Sequence, residues 1–500
     1  MSDQPIQGSH AGSLEQAQRL QALGNWVDAR AAYQALVADD PQCVPALLGL
    51  ALSLAAQGQH EEALPYFKAA IDRESDRADV WCNLAISHQA LRQSARAELA
   101  YLRSLAISPD AITWSNLGSL MTDLGRTDDA ERCFRSALAL DPNCASAYDN
   151  CGLLYCDLGR WEEAEAHFRE AIRLAPSNTQ AAFNLSQLVL ALGRYDEGWA
   201  LHEVRFAPGN RAGRPFMPHM PCPQWRGEPL AGKSLLVWLE QGLGDEIQFS
   251  RFIAEVKATG ARKVSYVCHP ALARLFASLD GIDTLVPFGD GTVNLAGHDY
   301  WCFTLSLPYG LHTDTPYGKQ LFPYLATDAP ARQTWQGRLP AGKLRVGLVW
   351  RGNPRHHNDS ERSISALTAL APLWSVPGID FISLQRGRGE DEARYALSSQ
   401  PILALGHELA DFADTAAIIE QLDLVITVDT AAAHLAGALG QQCWVLLPQH
   451  RPDWRWQTRG ETTPWYPTMR LFRQTARSDW ASVIDAIRAA LLDWALTQQS

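Results

Sequence analysis

The sequence predicts an α-helical repeat array of about 200 residues followed by two α/β lobes built on parallel sheets. Two observations carry this. A set of small and aromatic residues recurs at a spacing of 34: Trp114, Leu117, Gly118, Ala130, Phe134, Ala137 and Pro142 return as Tyr148, Cys151, Gly152, Ala164, Phe168, Ala171 and Pro176. From Ser234 onward, helical periodicity gives way to short apolar runs, each followed by a glycine-bearing turn and a helical stretch. That alternation is the pattern of βαβ units around a parallel sheet. A chain of 500 residues is also too long for one hydrophobic core, so several domains are expected.

Going toward the amino terminus, the frame falls on Trp81, Leu84, Ala97, Tyr101 and Pro109, then Leu47, Leu50, Ala63, Phe67 and Ala70, then Ala29, Tyr33 and Pro41. Five full repeats and a frayed sixth fill residues 10–206. Small residues are needed where paired helices cross closely, aromatics fill the gap to the next repeat, and proline starts the turn that ends each unit. The period and these residue types resemble the tetratricopeptide repeat. Stacked helix pairs offer a long concave surface and no closed pocket, so this half is expected to bind a protein and leave any reaction to the other half.

Bulk properties narrow the classes. With 43 basic against 55 acidic residues, a nucleic-acid surface is disfavoured, although a local basic pocket for phosphates stays open. No apolar run reaches the length of a membrane span, and Met1-Ser2-Asp3-Gln4-Pro5 has neither a basic nor an apolar leader region, which predicts a cytoplasmic protein. The ten cysteines form no Cys-x-x-Cys pair. Cys144, Cys151 and Cys156 fit no zinc spacing and read as packing residues, and no metal or other cofactor is expected.

Helical periodicity ends near Phe206, and residues 207–232, rich in Gly and Pro, read as a linker. Strands are expected at Leu235–Leu239, Val264–Val267 and Thr284–Pro287 in a first lobe, residues 233–326. After a break around Thr327–Gly342, a second lobe, residues 343–475, should contain Leu344–Trp350, Asp380–Leu384, Leu424–Val428 and Cys443–Leu447. A closing helix, residues 476–497, places Trp480, Val483, Ile484, Ile487 and Leu491 on one face and should pack back on a lobe. Two such Rossmann-like lobes would turn their strand carboxyl ends toward a common cleft.

The motifs fall at those strand ends. The first strand runs into Glu240-Gln241-Gly242-Leu243-Gly244-Asp245-Glu246 and a helix. Gly242 and Gly244 permit a tight turn that delivers Asp245 to a helix start, where it acts either as a helix cap or as a base for a hydroxyl. A dinucleotide fingerprint fails because Ile247 stands where the third glycine belongs. In the second lobe, Leu424–Val428 leads into Asp429-Thr430-Ala431-Ala432-Ala433-His434. Small residues there let a phosphate approach the helix start, Asp429 suits sugar hydroxyls, and His434 is either a ligand or a core histidine. The segment Trp350-Arg351-Gly352-Asn353-Pro354-Arg355-His356-His357-Asn358-Asp359-Ser360-Glu361-Arg362-Ser363 concentrates cations where a leaving phosphate would develop charge, with Arg362 the preferred ligand. Gln385 and Asp411-Phe412-Ala413-Asp414-Thr415 point the same way with less force, Asp414 reading equally as a cap. Trp454, Arg455 and Trp456 either stack on a ligand at the cleft mouth or pack in the core.

On the Gly244-Asp245 loop and the Asp429-Thr430-x-x-x-His434 helix start, residues 233–475 resemble the glycosyltransferase-B fold, and within it the heptosyltransferase-like family nine of bacteria. The resemblance implies metal-free transfer from a nucleotide-sugar, with the loop aspartate as base and Gly244, Arg362, Gln385, Asp429, Thr430 and His434 around the donor. Ala431 replaces the glycine usual after the Asp-Thr pair. The fusion to repeats resembles bacterial protein glycosyltransferases, those acting on flagellin included, and in layout the O-linked N-acetylglucosamine transferases. Asn83, Asn116, Asn150 and Asn184 share one repeat position, interrupted by Gly49. They form either a ladder for an extended acceptor peptide, as in the latter family, or helix braces.

Together these features predict a metal-independent protein O-glycosyltransferase. A protein captured by the repeats would receive, on Ser or Thr, a sugar from a CMP-, UDP-, GDP- or ADP-linked donor. The alternatives are a non-catalytic repeat scaffold with a degenerate transferase region and a transferase acting on a saccharide or lipid-linked acceptor. The absence of an amphipathic basic stretch counts against the last.

Overall fold

A computed structural model describes residues 6–207, 219–289, 296–318, 322–356 and 358–498. Residues 1–5, much of the expected linker and His357 lie outside them. The chain packs as two compact units, residues 1–177 and 178–500.

The first unit is a stack of five helix pairs: α1 (Ile6–Ala22) with α2 (Trp26–Asp39), α3 (Val44–Ala56) with α4 (His60–Ile71), α5 (Ala78–Ala90) with α6 (Ser94–Ile107), α7 (Ala111–Asp123) with α8 (Thr127–Leu140), and α9 (Ala145–Asp157) with α10 (Trp161–Leu174). The small residue expected at each crossing, Ala29, Ala63, Ala97, Ala130 or Ala164, is completely buried. Tyr33 fills the gap to the next pair as expected, a Cβ on Gly49 of α3 falling on its ring, whereas two later aromatics do something different. A Cβ on Gly118 would lie 2.5 Å from the Phe134 ring, and one on Gly152 2.5 Å from Phe168. Phe134 and Phe168 therefore seat on the glycine of their own pair, and the glycine is required for the absence of a side chain. The turns inside the pairs use a left-handed residue, Gly24, Gly58, Gly125 and Gly159 at φ of 70–77°, with Arg92 at 58° in the third. A residue with a Cβ is strained there.

The second unit opens with a sixth pair, α11 (Thr179–Ala191) and α12 (Tyr195–His202). The sequence frame ends the array near Phe206, whereas packing divides the chain one pair earlier. The reason is α12, whose Trp199 is buried edge-to-face against Phe249, Trp454 and Trp465 at centroid distances of 5.9, 5.6 and 6.2 Å. The described part of the expected linker is not free either. Trp225 is buried, and its amide donates to the Trp301 carbonyl at 2.7 Å.

Two parallel sheets follow. The first has the order β3 (Thr284–Pro287), β2 (Lys263–Cys268), β1 (Ser234–Trp238), β4 (Tyr300–Phe303). Adjacent strands run in register from Ser234 opposite Lys263 and from Leu235 opposite Tyr300. The second has the order β10 (Met469–Arg473), β9 (Cys443–Leu447), β8 (Leu424–Val428), β5 (Leu344–Val349), β6 (Ile379–Ser383), β7 (Ile402–Ala404). Numbered from β5, this is the 3-2-1-4-5-6 order of doubly wound sheets. The break before the second sheet contains the helix Ala329–Trp335, capped by Asp328. The terminal helix Trp480–Gln498 buries Val483, Ile484, Ile487 and Leu491 against the second sheet's core, as its periodicity predicts. No described helix is long and apolar enough to cross a membrane.

Two outcomes are expected. Arg92→Gly should stabilise the repeat unit by about 0.5–1 kcal/mol, read from urea melts, because only the strained turn is relieved. A fragment of residues 178–500 should unfold in one cooperative transition. A fragment cut at residue 207 should lose at least about 3–5 kcal/mol, the scale of removing one buried tryptophan, and bind hydrophobic dyes.

Candidate functional site

In doubly wound sheets, ligands bind outside the strand carboxyl ends at the point where strand order reverses. Here those points lie between β1 and β4 and between β5 and β8. The loop after β1 carries Asp245 on the short helix Leu243–Phe249, and the loop after β8 carries Asp429 and Thr430 at the start of the helix Ala431–Ala438. The two helix starts meet across the lobes: a Cβ on Gly244 would lie 2.8 Å from His434 Cδ2 and 3.4 Å from Ala431 Cα.

That contact reassigns two expected donor ligands. Gly244 serves close packing. His434 is a core histidine, its Nδ1 3.0 Å from the Tyr466 hydroxyl and its ring stacked 5.3 Å from Trp456. Burial, with the nearby charge of Arg455, pushes its pKa down to about 3, so it stays neutral. Gln385 is also withdrawn from any ligand. It is buried, its Oε1 accepts from the Trp350 and Arg351 amides at 3.0 and 2.9 Å, and its Nε2 donates to the Arg351, Arg386 and Arg388 carbonyls. Asp411 and Asp414 are caps, Asp414 also pairing with Arg274. Trp454 and Trp456 are packed in the core and do not line a cleft mouth.

The residues that remain form one cluster. Asp245 Oδ2 accepts from the Gly242 amide at 2.9 Å, so Asp245 does cap its turn, while Oδ1 is paired with the Arg455 guanidinium. Arg455 is almost wholly buried. It spans the lobes, donating through Nη1 to both oxygens of Asp453 at 2.9 and 3.0 Å and through Nε to Gln248 Oε1. Burial raises the Asp245 pKa, and the Arg455 charge works against that rise. Asp429 sits beside the same charges. Burial and then the negative charge of Asp453 push its pKa up to about 6, against the opposing pull of Arg362. The Thr430 hydroxyl lies 2.9 Å from that of Thr427 and caps nothing, and the Ala431 and Ala432 amides donate to no described residue.

Arg362 lies under Gly352, where a Cβ would come within 2.9 Å of its Nη2; its buried Nε makes no hydrogen bond to a described residue and stands 3.7 Å from Asp359 Oδ1 in an ion pair. The Gln248 Nε2 is likewise buried and makes no hydrogen bond to a described residue. Among the described residues, no group of three or more His, Cys, Asp or Glu side chains is arranged to hold a metal ion.

The asparagines of the repeats are engaged as braces. Asn83 donates to the Asp79 carbonyl at 2.8 Å, Asn116 to Cys82 Sγ at 4.0 Å and Asn150 to Ser115 Oγ at 2.9 Å, and Asn184 accepts from Gln180 at 3.0 Å. Reading along the sequence missed the role of Arg455 and its anchors Asp453 and Gln248. The one available signal was a basic residue two positions after an acid and flanked by tryptophans, a pattern that suits a buried ion pair.

Residues 3–212 match the family described as Cilia and flagella-associated protein 70 C-terminal domain. The chain is similar to Protein FlbA of Caulobacter vibrioides, 28% identical over 504 residues that cover 94% of this chain and 82% of that protein. It is 30% identical over 120 residues to the general transcriptional corepressor ssn6 of Schizosaccharomyces pombe, spanning 23% of this chain and only 11% of the corepressor. Among solved structures it is similar to TTC0263, a thermophilic TPR protein of Thermus thermophilus, at 24% identity and a TM-score of 0.34, over 36% of this chain and 99% of that one. The amino-terminal region is a tetratricopeptide repeat array, and the remainder carries the two parallel sheets.

A carboxyl whose pKa is higher in the folded than in the unfolded chain binds extra protons when folded, so its contribution to stability falls as pH rises between the two values. For Asp429 that window runs from 3.8 to about 6. Asp429→Asn is therefore expected to be more stable than the parent at pH 7 by about 1–3 kcal/mol, the difference closing below about pH 4, as measured by denaturant melts across pH.

Proposed function

We propose that the two-sheet unit is a glycosyltransferase of the B-fold type that moves a sugar from a nucleotide donor to a Ser or Thr hydroxyl of a protein held by the repeats. The observation that carries this reading is the meeting of two switch-point helix starts, one bearing Asp245 and the other Asp429 and Thr430, across a junction of two parallel sheets. In the reaction, Asp245 Oδ1 takes the proton of the acceptor hydroxyl as its oxygen attacks the anomeric carbon, and the sugar–phosphate bond breaks toward the nucleotide. The free amides of Ala431 and Ala432, the Thr430 hydroxyl and Arg362 suit the phosphate charge that then develops. Burial raises the Asp245 pKa, and Arg455 opposes that rise in favour of the ionised form that a base requires. The repeats support a protein partner, since a stack of helix pairs presents extended surface.

A second reading, a scaffold whose lobes no longer react, draws on one observation: Asp245 is occupied on both oxygens, by Gly242 and Arg455. The two readings part on nucleotide binding. With the full-length chain and CMP, UDP, GDP and ADP in turn, the transferase reading expects one nucleotide to stabilise the protein by about 2.7 kcal/mol at a hundred times its dissociation constant. No stabilisation by any of them, with the protein folded, favours the scaffold. Given a binding nucleotide, Asp245→Asn should lower transfer about 10²–10⁴-fold while nucleotide affinity is retained, measured by mass spectrometry of the acceptor and by calorimetry.

A further inference from the structure

The end of the sixth helix pair reaches three loops at once. Arg205, in the turn Glu203–Phe206 after α12, is fully buried and grips Glu240, the residue that opens the Asp245 loop, with Nε to Oε1 at 2.7 Å and Nη2 to Oε2 at 3.1 Å. The same guanidinium donates to Ser306 Oγ at 2.7 Å, in the loop after β4, and to Glu203 at 2.6 Å. Both strands that flank the first sheet's switch point thus end on one side chain. Meanwhile Trp199 packs on Trp454, with the His202 ring 6.5 Å from that indole. Trp454 immediately precedes Arg455, the partner of Asp245.

We propose that this helix pair, through Arg205 and Trp199, is the positioning element that sets the Asp245–Arg455 pair, holding the carboxylate through Glu240 and the guanidinium through Trp454. This rests on the reading of Asp245 as the proton acceptor. The energetics favour a geometric role. A fully buried guanidinium with two carboxylates is no better for stability than a packed apolar cluster of the same volume, and what it adds is a fixed register. A bidentate fork fixes that register in two dimensions, which neither a lysine nor an apolar contact would do. The position of Glu240 then determines where Gly242 and Asp245 begin their turn, since only Gln241, at φ 62°, separates it from the helix cap.

The test uses the full-length protein. Glu240→Gln, which keeps shape and removes the charge, and Arg205→Lys, which keeps charge and removes the fork, are each expected to speed amide hydrogen exchange at residues 241–246 about tenfold. Exchange in the helix Trp480–Gln498 and in α3–α8 should not change. In an active protein, both variants should lower kcat while leaving the KM for the nucleotide-sugar unchanged. Unaltered exchange at 241–246 in both variants overturns the proposal, as does exchange raised equally across residues 178–500, which would make the cluster merely structural. A parent protein that binds no nucleotide and transfers nothing refutes the functional reading itself. Unchanged exchange and kcat in variants of an active protein refute the positioning role alone.

Discussion

The second unit is organised around one buried charge. Arg455 leaves water almost completely, and a guanidinium can do so only if each of its nitrogens finds a partner, because the alternative is an uncompensated ion in a medium of low polarisability. Asp453 supplies one side from its own loop, and the other side has to come from the opposite lobe as Asp245 and Gln248. The two lobes are therefore joined by charge satisfaction as much as by apolar contact. The close approach of Gly244 to His434 follows from the same demand. A side chain at Gly244 would hold the helix starts apart and leave the Arg455 fork short of its partners.

The same constraint explains the fate of the ionisable groups nearby. A neutral His434 tolerates a neighbouring guanidinium, whereas a protonated one would not, and burial together with Arg455 keeps it neutral. Asp429 is drawn the other way by Asp453 and by its own desolvation. Asp245 and Asp429 are both raised by burial and differ in the next influence, the Arg455 cation opposing the rise at Asp245 and the Asp453 carboxylate adding to it at Asp429. Glu246 adds a third case. It is buried at the next position of the same helix and pushed up to about 8, which keeps it an uncharged brace accepting from the His269 amide at 3.0 Å.

What could be read from the sequence divides by the range of the interactions. The repeats were legible because their packing partners lie within one 34-residue period, as Gly118 and Phe134 do. The central strands announced themselves as apolar runs. The edge strands β4, β7 and β10 did not: β7 has only three residues with Leu403 exposed, and β10 is broken by the exposed Arg470 and closed by Arg473. Asp245, Asp429 and Thr430 were found because strand, turn and helix start are contiguous. The pairing of Asp245 with Arg455 crosses 210 residues and leaves almost no local trace. Gln385 and His434 carried polar groups at the right places, and partners more than thirty residues away, the Trp350 and Arg351 amides and the Tyr466 hydroxyl, helped decide that those groups face inward.

The division of the chain after the fifth repeat has a physical cause in the sixth. An array of stacked helix pairs has to end on a face that tolerates water, and terminal repeats ordinarily do so with a polar outer surface. The outer helix here, α12, instead presents Tyr195 and Trp199, which would be an exposed aromatic patch on any free array. Phe249, Trp454 and Trp465 cover them, and in doing so make the last repeat part of the sheet unit's core. The repeat frame carries a trace of the change, since the positions of Phe168 and Ala171 in the fifth pair are taken in the sixth by His202 and Arg205, both buried among the residues of the sheet unit.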